Sequence, residues 1–177
     1  YWTVKLAIQT KIFDKIIFST DSKNYYRILL RNLKKDKIET KNLIFDQRNK
    51  IEAGKKKKIF DYIKYDLITK FEFSKNDLIV QMLPTCPLRR YKTITEAVQL
   101  AKNKNKNVFS VSEYDFHLSF AMSLNKNFWQ PVFKDSPLVS GNTQGQNQKK
   151  YFHPNGVINC IFINKVNMNT KSIYEKA

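Results

Sequence analysis

Apolar positions along the chain change period several times, and each change marks an element. In YWTVKLAIQT, Trp2, Val4, Leu6 and Ile8 form a short, roughly helical pattern. DKIIFSTDS then holds a continuous apolar run, Ile16 to Phe18, which predicts a strand ending in Ser19, Thr20 and Asp21. Ser22 is a candidate N-cap for the next helix, whose inner side takes Tyr26, Leu29, Leu30 and Leu33. IETKNLIF predicts another short strand, and helical spacing returns in Ile59, Phe60, Ile63, Leu67 and Ile68.

DLIVQML, NVFSVSEY and GVINCIFINK predict three further strands. Between the first two, TITEAVQLAK carries a capping-box spacing, Thr93 to Glu96, and a helix is expected to begin there. Residues 115–150 show no clear period; their Gly, Asn and Gln predict loops with a short hairpin. Strand–helix alternation with near-continuous apolar strands predicts an α/β fold, a mostly parallel sheet covered on both faces. In such sheets ligands sit beyond the carboxyl ends of the strands, and STDS and LPTCPLRR fall at those ends. No internal repeat and no Pro-, Gly- or Ser-rich linker appears, so residues 1–177 read as one domain.

Composition narrows this picture. Hydrophobic residues are 42% and aromatics 14%, enough for a packed interior and against wholesale disorder. No apolar run approaches the ~20 residues of a membrane span, and YWTVKLAIQT is not a signal-peptide pattern. A soluble, cytoplasmic protein is the expectation. Cys86 and Cys160, with His117 and His153, make neither a disulfide scaffold nor a zinc site. The net charge of +17 invites a nucleic-acid partner, but only five of the 32 basic residues are arginines. The lysines scatter, apart from residues 55–58, so a solvated basic face is expected, with neither nucleic acid nor membrane as partner.

The loop from Leu83 to Arg90 stands out. Two prolines stiffen it, and between and after them come one hydroxyl (Thr85), one thiol (Cys86) and two guanidinium groups (Arg89, Arg90). On spacing alone the functional and the plain-surface readings stand equal. Neither GxGxxG nor GxxxxGK[ST] is present, which removes the dinucleotide fingerprint and the P-loop.

In order, KIFDKIIFSTDS, DLIVQMLPTCPLRR, NVFSVSEY and YFHPNGVINCIFI resemble the acylneuraminate cytidylyltransferases, the CMP-sialic acid synthetases and their relatives for legionaminic and similar sugars. Proteins of that family carry strands ending in STD and QPTSPLR, a VVSV strand, and RPNGAIY before a late strand. The likeness runs along almost the whole chain, and PTCPLR and PNG are its most specific parts. It implies a three-layer α/β fold with a mostly parallel sheet of the nucleotide-diphospho-sugar transferase type, and a homodimer. The implied reaction joins CTP and a nine-carbon 2-keto sugar acid into a CMP-sugar, releasing pyrophosphate with Mg²⁺.

By position, the resemblance places Thr85 and Arg89 in the loop lining the active site, and Asn155 facing the sugar. Arg48, in DQRN, falls near the RP of that family, and Gln146 aligns with the Gln of its RQD stretch, which reaches towards the partner subunit. Asp21 matches the STD aspartate, as a ligand contact or as a structural cap. No catalytic residue is assigned. Leu83 stands where Gln is usual, Cys86 replaces Ser, His153 and Gly145 replace arginines, and Asn49 replaces the Pro of RP. Those departures leave open which sugar acid is used and how active the chain is.

In that family a PARxGSK nucleotide loop precedes the helix with which this sequence opens, and a metal-binding aspartate pair follows the last strand. The sequence is therefore expected to be an incomplete catalytic domain, inactive by itself, with its Mg²⁺ ligands outside residues 1–177. Arg89 is expected to be needed for activity and to matter little for stability. Cys86 is expected to be neither nucleophile nor ligand, and Asp61 and Asp66 to lie on a helix surface. Phe116, Phe120, Phe128, Trp129 and Phe133 mark residues 115–150 as the expected dimerisation region. The rival readings are an inactive nucleotide- or sugar-binding or subunit-interaction module of this fold, and a related nucleotidyltransferase, such as one acting on Kdo.

Overall fold

The structure is a computed structural model describing residues 1–175. Helix α1 (Trp2–Thr10) turns Val4 and Ala7 inward and ends at Lys11 in the left-handed conformation, φ 56°. Strand β1 (Ile16–Thr20) follows. The Oγ of Ser22 then accepts a hydrogen bond from the Tyr25 amide at 3.4 Å, capping α2 (Lys23–Lys35) as its sequence predicts. Strand β2 (Leu43–Gln47) lies parallel to β1, with Ser19 opposite Asp46 and Thr20 opposite Gln47.

The third helical segment is broken in register: α3 (Ile59–Tyr62), a π turn over Ile63–Leu67, then α4 (Ile68–Lys70). After β3 (Leu78–Gln81) comes α5 (Tyr91–Lys104), which starts two residues before Thr93. Its N-cap, Arg90, gives no side-chain bond, and Glu96 pairs with Lys92 at 3.6 Å instead of closing a capping box on Thr93. Then follow β4 (Val108–Glu113), the hairpin β5 (Met122–Asn125) and β6 (Phe128–Pro131), α6 (Pro137–Ser140) and the long β7 (Phe152–Phe162).

The fold mixes helices and strands as an α/β protein does, but the expectation of a mostly parallel sheet is not met. Parallel pairing joins β1 to β2; β3 pairs antiparallel with β7, β7 lies between β3 and β4, and β5–β6 is an antiparallel hairpin. A continuous apolar run reports burial on both faces, and that is equally true of a central antiparallel strand. Direction is not encoded in the run.

The chain divides into two compact units, Tyr1–Ser110 with Gly156–Ala177, and Val111–Asn155. In the first, alternate strand residues meet different helices, as the period of two requires. Ile16 packs with Val4, Ala7, Leu29 and Leu33 of α1 and α2, while Ile17 packs with Tyr62, Ile63 and Leu67. Likewise Ile158 and Cys160 of β7 meet Ile94, Val98 and Ala101 of α5, whereas Ile161 meets the segment holding Tyr62. Leu33 and Ile94 are wholly buried, each contributing about 1.5–3 kcal/mol of transfer free energy.

The second unit is different in kind. Its apolar groups stay largely in the open: Phe116 is 72% exposed, Phe128 73% and Trp129 64%. Small aromatic contacts do form, Phe116 against Phe120 and Phe133 stacked on Tyr151. Among the described residues, no helix is long and apolar enough to cross a membrane.

Candidate functional site

The carboxyl ends of β1 and β2 are joined by the backbone and by one buried carboxylate. The Arg48 amide donates to Thr20 O at 2.9 Å, continuing the parallel ladder one step beyond the strands. Asp46, fully buried, accepts from Ser19 Oγ, Tyr62 OH and Lys70 Nζ, each at 2.6 Å. Burial pushes this carboxyl's pKa up, but the hydrogen bonds from Lys70, Ser19 and Tyr62 together hold it below the ordinary aspartate value. Burial first, and then the bond to Asp46, push the Tyr62 phenol well above its usual value, so it stays a donor.

Around this anchor the exposed chemistry is polar and cationic. Asp21 is exposed and accepts from Thr20 Oγ1 at 3.3 Å, while the Ser22 amide donates to the same Thr20 oxygen. Arg48 rests over the Tyr62 ring, its guanidinium carbon 5.6 Å from the centroid, and its Nε is shut off from solvent without a hydrogen-bond partner. Asn49 caps the turn that follows, accepting from the amides of Ile51 and Glu52.

The Leu83–Arg90 loop is held by Arg89 itself. Arg89 is 8% exposed; its Nε donates to Val157 O at 2.7 Å, one terminal nitrogen to Leu83 O at 2.9 Å and the other to Thr3 Oγ1 at 3.1 Å. One guanidinium thus ties the loop to β7 and to α1. Burial lowers its pKa, partly offset by nearby Cys86, and the guanidinium remains charged at any ordinary pH. Thr85 is exposed on the same loop. Cys86, Pro87 and Arg89 on one side, with Trp2, Lys5 and Gln9 of α1 on the other, line a cleft of about 200 Å³.

Gly156 explains itself on two counts. Its φ of +70° is the left-handed region that favours glycine, and a Cβ there would lie 3.1 Å from Leu83 Cδ1. Leu83 thus lies beside Gly156 of PNG, and Arg89 bonds the carbonyl of Val157, the residue that follows it. Asn155, in the second unit, donates from Nδ2 to Ser112 Oγ at 2.9 Å. Gln146 is exposed in a 3-10 turn, Gly145–Asn147. His153 lies against the Tyr114 ring, with centroids 4.8 Å apart.

Of the six residues expected at the site, the structure brings Asp21 and Arg48 to adjoining strand ends, and places Thr85 and Arg89 on one loop. Gln146 and Asn155 belong to the other unit. Ser19, Asp46, Tyr62 and Lys70 were not foreseen. The signal that could have found Asp46 is a lone acid closing an apolar strand, LIFDQ. Asp66, expected on a helix surface, is half-buried in the π turn and pairs with Lys57 at 2.7 Å through an Oδ2 shut off from solvent. Cys160 is buried, its pKa pushed up to about 12 by that burial, an inert core thiol. Among the described residues, no group of three or more His, Cys, Asp or Glu side chains is placed to hold a metal ion. The chain matches no family model and no curated protein.

Proposed function

We propose that this chain carries a cytidylyltransferase domain of the nucleotide-diphospho-sugar transferase type, whose parent reaction joins CTP to a nine-carbon 2-keto sugar acid. In that reaction the anomeric oxygen bonds to the α-phosphorus and the bond to the β-phosphate oxygen breaks. Pyrophosphate leaves and the hydroxyl proton is released. Both substrates are anions, so placement and charge neutralisation carry the chemistry.

The observation that supports the reading is that the segments carrying the two most specific motifs meet at the ends of β3 and β7. Arg89, the last residue of PTCPLR, donates from Nε at 2.7 Å to the carbonyl of Val157, the residue after PNG, and Leu83, the residue before PTCPLR, lies beside Gly156. Arg48 sits at the end of β2 with no carboxylate partner among the described residues and its Nε shut off from solvent, and on this reading its terminal nitrogens meet a phosphate or carboxylate. Thr85 supplies a hydroxyl and Asp21 a carboxylate. A three-layer arrangement belongs to this reading, as does a second copy meeting the exposed rings of Phe116, Phe128 and Trp129.

The test is pyrophosphate release from CTP with a panel of nine-carbon 2-keto sugar acids, with ATP, GTP and UTP as controls, beside calorimetric titration of each nucleotide. CTP-selective release supports the transferase. Selective CTP binding without release assigns the inactive-module reading, and equal indifference to all four nucleotides overturns both. Light scattering at micromolar concentration addresses the pair of copies, and a monomer would count against it.

A further inference from the structure

We propose that Asp46 is the positioning residue for Arg48, acting through Tyr62. The inference rests on the reading that Arg48 meets an anionic substrate. An apolar residue would fill this strand position more cheaply, since an isolated buried carboxylate loses several kcal/mol of solvation. Instead, a fully buried aspartate draws donors from three separate elements: Ser19 of β1, Tyr62 of α3 and Lys70 of α4.

Each donor then bears on Arg48. Tyr62 OH, held at 2.6 Å, fixes the ring over which the Arg48 guanidinium lies. Lys70 Nζ also reaches Gln47 O at 3.3 Å, gripping the residue before Arg48 and keeping its own charge on Asp46. Ser19 secures the strand whose last carbonyl, Thr20 O, takes the Arg48 amide. Arg48 is therefore aimed by backbone and ring, while no carboxylate neutralises it among the described residues. A guanidinium so held loses little further freedom when an anion arrives, which is how preorganisation raises affinity.

The experiment reads the Arg48 Nε–H by ¹⁵N NMR, assigned with Arg48→Lys, in the wild type and in Asp46→Asn, Tyr62→Phe and Tyr62→Leu. In the wild type this signal is expected to be shifted by the ring and slow to exchange. Asp46→Asn and Tyr62→Phe should move it towards the exposed arginines, and Tyr62→Leu should merge it with them. In parallel, Asp46→Asn should weaken CTP binding about tenfold, within the coupling range of contacting residues, and should add nothing in an Arg48→Ala background.

An Arg48 signal unmoved in folded Asp46→Asn overturns the proposal. So does an equal loss of CTP affinity in both backgrounds. If Asp46→Asn does not fold, Tyr62→Phe, which keeps the carboxylate and the ring, decides the matter by the same two readings. If the wild type binds no CTP while the signal still answers to Asp46, the positioning stands and the transferase reading falls.

Discussion

Arg89 and Arg48 each follow a strand end, and their guanidinium groups stand in opposite circumstances. Arg89 is nearly buried and three of its five N–H donors close on groups of the fold, Val157 O, Leu83 O and Thr3 Oγ1. Arg48 is half-buried, lies over a ring, and has an Nε with no partner. The motif-borne arginine builds the loop, and the less conspicuous one keeps its donors. A residue within a recognisable motif can owe its place to architecture.

Removing Arg89 gives the largest effect. Arg89→Ala strands two backbone carbonyls and severs the loop from α1 and β7; at about 1–3 kcal/mol for each stranded group, the loss is about 2–6 kcal/mol. In a chain of this size that lowers Tm by roughly 4–24 °C, read by thermal denaturation. This replaces the sequence-based expectation that the change would leave stability nearly intact. A variant that melts with the wild type and loses only turnover would break the comparison.

Arg48→Ala should do the reverse. It loses a cation–π contact of about 0.5–1 kcal/mol, so its melting point stays close to that of the wild type. CTP binding should fall at least about tenfold, which corresponds to ~1.4 kcal/mol. Calorimetric titration beside a melting curve separates the two quantities, and equal stability losses in Arg48→Ala and Arg89→Ala would erase the distinction.

A pH series sharpens the Arg48 side. The folded-state pKa of Asp46 lies below its ordinary value of 3.8. The unfolded chain therefore takes up the proton first as pH falls. The contribution is complete above the ordinary carboxylate range and is lost as pH drops through the folded value. Asp46→Asn lacks this term. The stability gap between wild type and variant, from urea midpoints, should be constant above pH about 5.5 and narrow steadily below pH about 4. A gap that widens in acid would reverse the sign assigned here.

Much of the Arg89 side was legible in the chain, and little of the Arg48 side. LPTCPLRR is legible at a strand end because the apolar run stops there; on the Arg48 side only STDS, by the same rule, and the local Ser22 cap on Tyr25 are readable. The Asp46 cluster was not readable, since Ser19, Tyr62 and Lys70 come from segments 16 to 27 positions away. Nor was the bonding of Arg89 to Thr3, 86 positions off. The π turn that follows Tyr62 also left no mark in the spacing of Ile59, Phe60, Ile63 and Leu67. The antiparallel entry of β7 escaped for a related reason: burial pattern carries no direction.

The smallest effect is expected at Cys86. It is half-buried beside Arg89 at the cleft with Trp2, Lys5 and Gln9, a setting that on charge alone could suggest an activated thiol. The proposed transfer at phosphorus needs no covalent enzyme intermediate, and the resembling family has Ser there. Cys86→Ser swaps one small group for another on a loop whose shape is fixed by two prolines and the Arg89 bonds, so stability should move by no more than about 0.5 kcal/mol. CTP binding should match the wild type, or improve if the hydroxyl finds a phosphate oxygen. Cys86→Ala separates these cases, because it removes the sulfur and offers no donor. Wild-type binding in both variants leaves the loop's role with Arg89 alone. Abolished turnover in both, with melting curves unchanged, would put a working thiol where the comparison places only a frame.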